Sequence, residues 1–176
     1  MVEQKFIEET LKFEGGFVND PDDKGGETYR GISRKYHPKW VGWVLVDSRK
    51  PLKKGEIIID PLLNKFVLDF YITNYFNGHF DKMPLKLGAY CFDLGVHVGV
   101  MRAKCLLQKA LKVNPDGVLG KKTMLALAKA DIDKVIEDLK KERVAFYMAI
   151  ASKTPSQSKF LKGWVKRAID YGVALA

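Results

Sequence analysis

Hydrophobic positions recur with helical spacing over most of the chain. Near the start, Ile7, Leu11 and Glu14 follow an i, i+4, i+7 pattern, which predicts a first helix over residues 2–14, ended by a Gly-Gly pair. A second apolar run follows an Asp-Pro pair, which suits an N-cap and a first helical residue. The same period predicts further helices over about 85–98, 101–111, 120–129, 131–152 and 156–172.

Two segments interrupt this period. Residues 14–32, "EGGFVNDPDDKGGETYRGI", are rich in acids and glycines and allow a short hairpin. Residues 37–59 contain two tryptophans and a β-branched "III", which predicts a loop with one or two strands. We therefore expect a mainly α fold with a small irregular or β-hairpin segment near the N-terminus.

Charge and composition narrow the range of partners. The formal net charge of +9 would attract nucleic acid, a membrane surface or an anionic cell-wall polymer. The basic residues are scattered and no nucleic-acid recognition motif is visible, so a solvated basic face is favoured over nucleic-acid binding. No apolar run approaches the ~18 residues of a membrane span, so stable membrane insertion is not expected. The first residues lack the apolar core of a secretory signal, and the two cysteines are expected to be free thiols.

Glu14 has the setting of a general acid. It completes an apolar stripe, so its carboxyl should face the core side of the first helix. The negative end of the helix dipole and partial burial both disfavour the charged form and would raise the pKa of Glu14. A carboxylic acid that stays protonated near neutrality can protonate a leaving group.

The acidic loop offers a second carboxylate, which glycoside hydrolysis usually requires. The candidates are Asp20, Asp22 and Asp23, beside Gly25 and Gly26, which would let a sugar approach the backbone, and Thr28, which would help to hold a water. From the residues alone, an ordinary solvated turn remains open as the alternative. A calcium loop is disfavoured because the ligand spacing of an EF-hand is missing, and no metal site is expected.

The loop sequence also resembles a family signature. "EGGFVNDPDDKGGETYRGIS" is similar to E-G-G-[YF]-x-N-x-P-x-D-x-G-G-x-T-x-x-G-I of glycoside hydrolase family 108, N-acetylmuramidases of lysozyme-like fold, some labelled secretion activator proteins. The Glu…Asp…Thr set also resembles that of phage-type lysozymes, with the threonine one position closer to the aspartate. The resemblance implies that Glu14, Asp23 and Thr28 are catalytic, and that Gly25 and Gly26 bind substrate.

The resemblance extends along the chain. "YFNGHFDKMPLKLGAYCFDLGVHVG" is similar to a second family segment, which implies substrate contacts for Tyr75, Asp93 and His97. Phe76 and His97 depart from it, since Trp and Asn are usual there, and a tolerated swap with no substrate contact would also explain His97. "LQKALKVNPDGVLGKKTMLAL" resembles the L-Q…D-G-x-x-G-x-x-T motif of predicted peptidoglycan-binding regions, although a plain turn would also explain it. "SQSKFLKGWVKRAID" is similar to the closing segment. This implies a catalytic region, 1–84, and a helical peptidoglycan-binding region, 85–176, packed as one globular unit.

The resemblance implies a peptidoglycan hydrolase that cleaves the β-1,4 bond between N-acetylmuramic acid and N-acetylglucosamine. The expected partner is the glycan strand, with no cofactor, and the protein is expected to be a monomer. It would be made in the cytoplasm and act on the cell wall. A non-catalytic wall-binding protein and a lytic transglycosylase that uses Glu14 alone remain alternatives.

Overall fold

The computed structural model describes residues 2–19 and 26–171, and these are mainly helical. The chain packs as two compact units, one up to Asn74 and one from Tyr75 onward. The helices of the first unit are α1 (Val2–Leu11), α2 (Gly42–Asp47) and α3 (Pro61–Tyr71). Those of the second unit are α4 (Leu85–Val98), α5 (Val100–Ala110), α6 (Lys121–Ala128), α7 (Ile132–Lys153) and α8 (Leu161–Asp170). The π-helical segment Ile72–Phe76 spans the boundary. The functional division after residue 84 stays a prediction.

A small antiparallel sheet follows α1 in the first unit. Its strands β1 (Phe17–Val18), β2 (Thr28–Tyr29) and β3 (Ile32–Ser33) lie in chain order. Aromatic and branched side chains of this sheet are buried, and so is the apolar stripe of α1, which comprises Phe6, Ile7 and Leu11. The predicted mainly α fold with a hairpin near the N-terminus is confirmed.

The start of α3 follows from its capping residue. The carboxylate of Asp60 accepts hydrogen bonds from the backbone N–H groups of Leu62 at 2.9 Å and Leu63 at 3.1 Å, and Pro61 is the first helical residue. These bonds satisfy donors that have no partner inside the helix. The Asp-Pro prediction is therefore confirmed.

The strands predicted within residues 37–59 are wrong. This segment forms α2 instead, with Trp43 and Val46 buried, while Ile57 and Ile59 are 51% and 98% exposed. A strand needs a partner along its length. Among residues 2–19 and 26–171, Gly55 and Glu56 form backbone bonds with Phe17, at 2.7 and 2.8 Å, and the β-branched run that follows them has no strand to pair with.

The second unit is a helical bundle in which α7 packs against α4, α5 and α8. The predicted helices agree with the observed ones to within a residue or two, apart from the last. There, Pro155 begins a 3₁₀ segment, Pro155–Phe160, and α8 starts only at Leu161. Cys91 and Cys105 are free thiols, as predicted. None of the helices in the described ranges is both long enough and apolar enough to cross a bilayer.

Candidate active site

Glu14 lies in the turn between α1 and the sheet. The helix ends at Leu11, three residues earlier than predicted, because the last turn tightens to i−3 bonds: Phe13 N–H to Thr10 O at 3.0 Å and Glu14 N–H to Leu11 O at 3.2 Å. Gly15 then reverses the chain with a φ of +69°. Glu14 is half-buried, so its side chain lies partly against the protein.

The turn between β2 and β3 packs against this glutamate. The register pairs Tyr29 with Ile32, so Arg30 and Gly31 form a two-residue turn, with φ values of +46° and +78°. Positive φ at both positions is the signature of a type I′ turn, which matches the twist of a hairpin. A Cβ on Gly31 would lie 3.0 Å from Oε2 and 3.4 Å from Cβ of Glu14. The backbone of Gly31 is therefore in close contact with the Glu14 side chain.

A buried tyrosine from α3 holds that turn in place. Tyr71, which is 2% exposed, donates its hydroxyl proton to the carbonyl of Arg30 at 2.7 Å. The Arg30 backbone N–H bonds the Gly16 carbonyl at 3.2 Å, and its Nη1 donates to Asn64 at 3.3 Å. The sequence analysis did not single out Arg30, Gly31 or Tyr71. A positive φ at arginine is uncommon and is kept here by these bonds.

Thr28 lies in β2, opposite Val18 on one side and Ser33 on the other. Its hydroxyl donates to the carbonyl of Gly26 at 3.1 Å, and it is half-buried. Gly26 has a φ of +63° with open space around the position of a side chain. The predicted Asp23 and Gly25, with Asp20 and Asp22, lie outside the described residues, so their roles stay predictions.

Glu27 is another acid next to Thr28, and it is tied up in a charge network. Its Oε1 lies 2.6 Å from Lys50 Nζ, and its Oε2 lies 2.5 Å from Arg34 Nε. Arg34 and Lys50 also pair with Asp47, at 2.6 and 2.8 Å. These contacts give Glu27 a structural role, since they link β2 and β3 to α2 and its following turn.

In the second unit, Asp93 is fully buried between two arginines. Its Oδ2 lies 2.8 Å from Arg143 Nη2, and its Oδ1 lies 2.8 Å from Arg167 Nη2 and 3.0 Å from Arg167 Nε. A carboxylate at 0% exposure with both oxygens engaged presents no atom to a sugar. Asp93 therefore holds the side chains of Arg143 and Arg167 in place.

His97 is half-buried one turn further along α4. Its Nδ1 lies 2.6 Å from the hydroxyl of Tyr147, and its ring centroid lies 6.0 Å from that of Trp164. Tyr75 is half-buried in the π-helical segment. Phe76, where a Trp is usual in the family signature, packs edge-on against Phe92 with centroids 6.2 Å apart, which makes it a core residue.

The L-Q…D-G-x-x-G-x-x-T motif is organised around the buried side chain of Gln108. Its Nε2 donates to Asp116 Oδ1 at 2.7 Å, Val118 O at 3.0 Å and Thr123 Oγ1 at 3.1 Å, and its Oε1 accepts from Gly117 N–H at 2.7 Å. The bond from Gln108 is the main reason that the pKa of Asp116 is lowered. The motif's polar groups thus stabilise the turn itself. Beside it lies a cleft of about 480 Å³ whose lining includes two lysines of α6.

Glu14, Gly31 and Tyr71 are brought together within the first unit, and Asp93 and His97 within the second. The sequence analysis did not single out Arg143, Tyr147 or Arg167. The available signal was the helical spacing of these residues along α7 and α8. No three His, Cys, Asp or Glu side chains among residues 2–19 and 26–171 are grouped as metal ligands would be.

Comparison with known proteins identifies both parts of the chain. A family model described as glycosyl hydrolase 108 matches residues 7–99, just over half of the chain, and one described as a predicted peptidoglycan domain matches residues 102–169. The solved structure of Brucella abortus SagA is similar, at 27% identity and a TM-score of 0.64, covering 97% of this chain and 95% of that one. No curated protein matches the chain.

Proposed function

Because the chain belongs to glycosyl hydrolase family 108, we propose that this peptidoglycan-related glycosidase is an N-acetylmuramidase with Glu14 as its general acid. The bond cleaved is the β-1,4 linkage from N-acetylmuramic acid to N-acetylglucosamine. The observation that carries the proposal is the placement of Glu14. Its half-buried side chain lies against the Arg30-Gly31 turn, which Tyr71 fixes from α3. Such a group can deliver a proton in one defined direction, as general acid catalysis requires.

The proposed reaction is hydrolysis with inversion. Glu14 protonates the leaving oxygen, while Asp23, with Thr28 beside it, activates the attacking water. An inverting pair needs roughly 6.5–9.5 Å between its carboxyl groups, against about 5–5.5 Å for a retaining pair. The first product would then have the α configuration. Peptidoglycan is the partner indicated by the second family model, and the net charge of +9 favours approach to an anionic wall.

The test replaces the Glu14 carboxyl with an amide, which has the same shape but cannot act as an acid. Glu14→Gln should abolish release of reducing sugars from purified peptidoglycan, while the far-UV circular dichroism and melting curve stay unchanged. Glu9→Gln is the matched control: it makes the same charge change on α1, where Glu9 pairs with exposed Lys12, and should keep full activity. A folded Glu14→Gln protein with normal activity would refute the assignment.

Product analysis separates the alternatives. Mass spectrometry of the digest should show hydrated reducing ends; anhydro-muramic products would identify a lytic transglycosylase. NMR of the first product should show the α anomer, and Asp23→Asn should lose activity by orders of magnitude while Asp20→Asn and Asp22→Asn retain it. A wall-binding protein without activity would release no product at all.

A further inference from the structure

Three helices of the second unit each contribute a charged residue and a ring, one helical turn apart. Asp93 and His97 lie on α4, Arg143 and Tyr147 on α7, and Arg167 and Trp164 on α8. Residues three or four apart share one face of a helix. The three pairs therefore form two layers, a buried ionic layer and a layer of rings.

The ring layer runs from the core to the surface. Tyr147 is 1% exposed, His97 and Trp164 are half-buried, and Phe160 is 45% exposed. The Trp164 centroid lies 5.5 Å from that of Tyr147 and 5.9 Å from that of Phe160, with which it is stacked. We call His97, Tyr147, Phe160 and Trp164 the aromatic platform. Flat rings at a surface suit the apolar face of a sugar.

The hydrogen bonds of Tyr147 determine the tautomer of His97. Arg143 Nε can only donate, so its 2.7 Å bond makes the Tyr147 oxygen an acceptor. Within the described residues, the buried Tyr147 hydroxyl proton has one acceptor in reach, Nδ1 of His97 at 2.6 Å. An unmade bond there would be costly. Tyr147 therefore donates to Nδ1, and the neutral imidazole carries its proton on Nε2.

Burial and the ionic layer together keep His97 neutral. Burial, followed by the charges of Arg167 and Arg143, lowers the pKa of His97 to about 4, which outweighs the opposing charge of Asp93. The position of His97 in the last turn of α4 would favour the cation, but the two arginines and burial override it. At neutral pH, Nε2–H is thus a donor, and it has no partner among the described residues.

The same layer carries an excess positive charge. Arg143 and Arg167 face a single carboxylate, Asp93, and Arg143 Nη1 is buried with no hydrogen bond among the described residues. A buried net cation of this kind attracts an electron-rich ligand more strongly than a surface charge does. The indole N–H of Trp164 is a second ring donor in the platform that has no partner within residues 2–19 and 26–171.

We propose that the aromatic platform is a glycan-binding site in which His97 Nε2–H donates to a carbonyl or carboxylate oxygen of peptidoglycan, with Trp164 beneath the sugar. Tyr147 is a positioning residue that fixes the His97 tautomer. This rests on the proposed function for the identity of the ligand as wall glycan. The shared chemistry is an oxygen acceptor, either the acetamido carbonyl of the sugars or a carboxylate of muramic acid and its peptide.

The test measures binding without turnover. In ¹⁵N-labelled Glu14→Gln protein, long-range ¹H–¹⁵N spectra should show His97 protonated on Nε2. Added chitotriose should shift the Nε2–H of His97 and the indole N–H of Trp164 if the acetamido carbonyl is the acceptor; shifts with muramyl dipeptide alone would identify the carboxylate. His79, which contacts Lys104 in the same unit, is the matched reporter that should not move.

Substitutions then distinguish residues that contact the ligand from residues that only support the structure of the platform. His97→Leu should weaken binding at least tenfold, and His97→Gln, which keeps an N–H donor, should restore most of it. Tyr147→Phe should shift His97 toward a tautomer mixture and weaken binding while Trp164 stays in place. An Nδ1–H tautomer, no response to either probe, or equal binding by His97→Leu would each overturn the proposal. If wild-type protein degrades peptidoglycan and His97 does not respond, only this inference fails; if His97 responds and no product forms, the proposed function fails instead.

Discussion

Replacing Gly31 with alanine tests the contact between the hairpin turn and the candidate acid. At a φ of +78°, any side chain is strained by about 1–2 kcal/mol. The added Cβ would also overlap the Tyr71 hydroxyl and lie 3.0 Å from Glu14 Oε2. Displacing that hydroxyl breaks its 2.7 Å bond to Arg30, which costs about 1–3 kcal/mol. The free energy of unfolding should fall by about 2–5 kcal/mol.

Gly55→Ala is the matched control for backbone strain. Gly55 has a φ of +83° in the same unit, and a Cβ there would meet nothing within 4 Å. Its cost should be the strain alone, about 1–2 kcal/mol. Urea unfolding followed by circular dichroism measures both variants. The overlap with Tyr71 predicts that Gly31→Ala loses most of its excess cost over Gly55→Ala in a Tyr71→Phe background, because the hydroxyl is then gone and only the contact with Glu14 remains.

The same change should affect catalysis beyond stability. The Glu14 carboxyl must shift to accommodate a Cβ at 3.0 Å, and small displacements of a catalytic group are costly in rate. Folded Gly31→Ala protein, assayed well below its unfolding transition, should hydrolyse peptidoglycan at least tenfold more slowly, whereas Gly55→Ala should remain active. Equal stability of the two glycine variants, with both fully active, would refute the contact between this turn and Glu14.

Two further predictions concern the second unit. Gln108→Ala should lower the free energy of unfolding by roughly 2–4 kcal/mol, because it leaves buried partners such as the Gly117 N–H unpaired. Lys109→Ala, at the exposed neighbouring position, should leave the free energy of unfolding unchanged. Chemical denaturation measures both variants, and an unchanged stability of Gln108→Ala would contradict the role of the glutamine. His97 binds its proton near pH 6.5 when unfolded and near pH 4 when folded, so its contribution to stability should be present above pH 6.5 and be lost as pH falls toward 4. The loss is up to about 3 kcal/mol, less with solvent screening at this half-buried ring, and His97→Gln should flatten the pH dependence of unfolding over that window. An unchanged slope in His97→Gln would show that other groups titrate there.

Sequence reasoning succeeded where local interactions decide the structure. The predicted helix over 85–98 matches α4, and the Asp60 cap forms as its sequence indicates. Both depend on residues within one or two helical turns of each other, so a short window of sequence contains the relevant energetics. The acid-glycine signature likewise indicated the family, because its residues are consecutive along the chain.

What surrounds the candidate residues was decided by tertiary contacts. Ile57 and Ile59 have strand propensity but stay exposed, because no strand in the described part of the chain pairs with them. In the sequence, Asp93 lies in a segment that implies a substrate contact. In the structure it is buried, because α7 and α8 each supply an arginine that pairs with it.

The setting of Glu14 shows the same division. Its identity, and the glycines after it, can be read directly from the sequence. The hairpin turn that touches it begins sixteen residues later, at Arg30, and is held by Tyr71 on α3. The protonation of His97 is likewise set by its burial and by groups on α7 and α8. Residue types and local elements were therefore determined by the sequence alone, whereas contacts, burial and proton positions required the tertiary structure, because they depend on groups far apart along the chain.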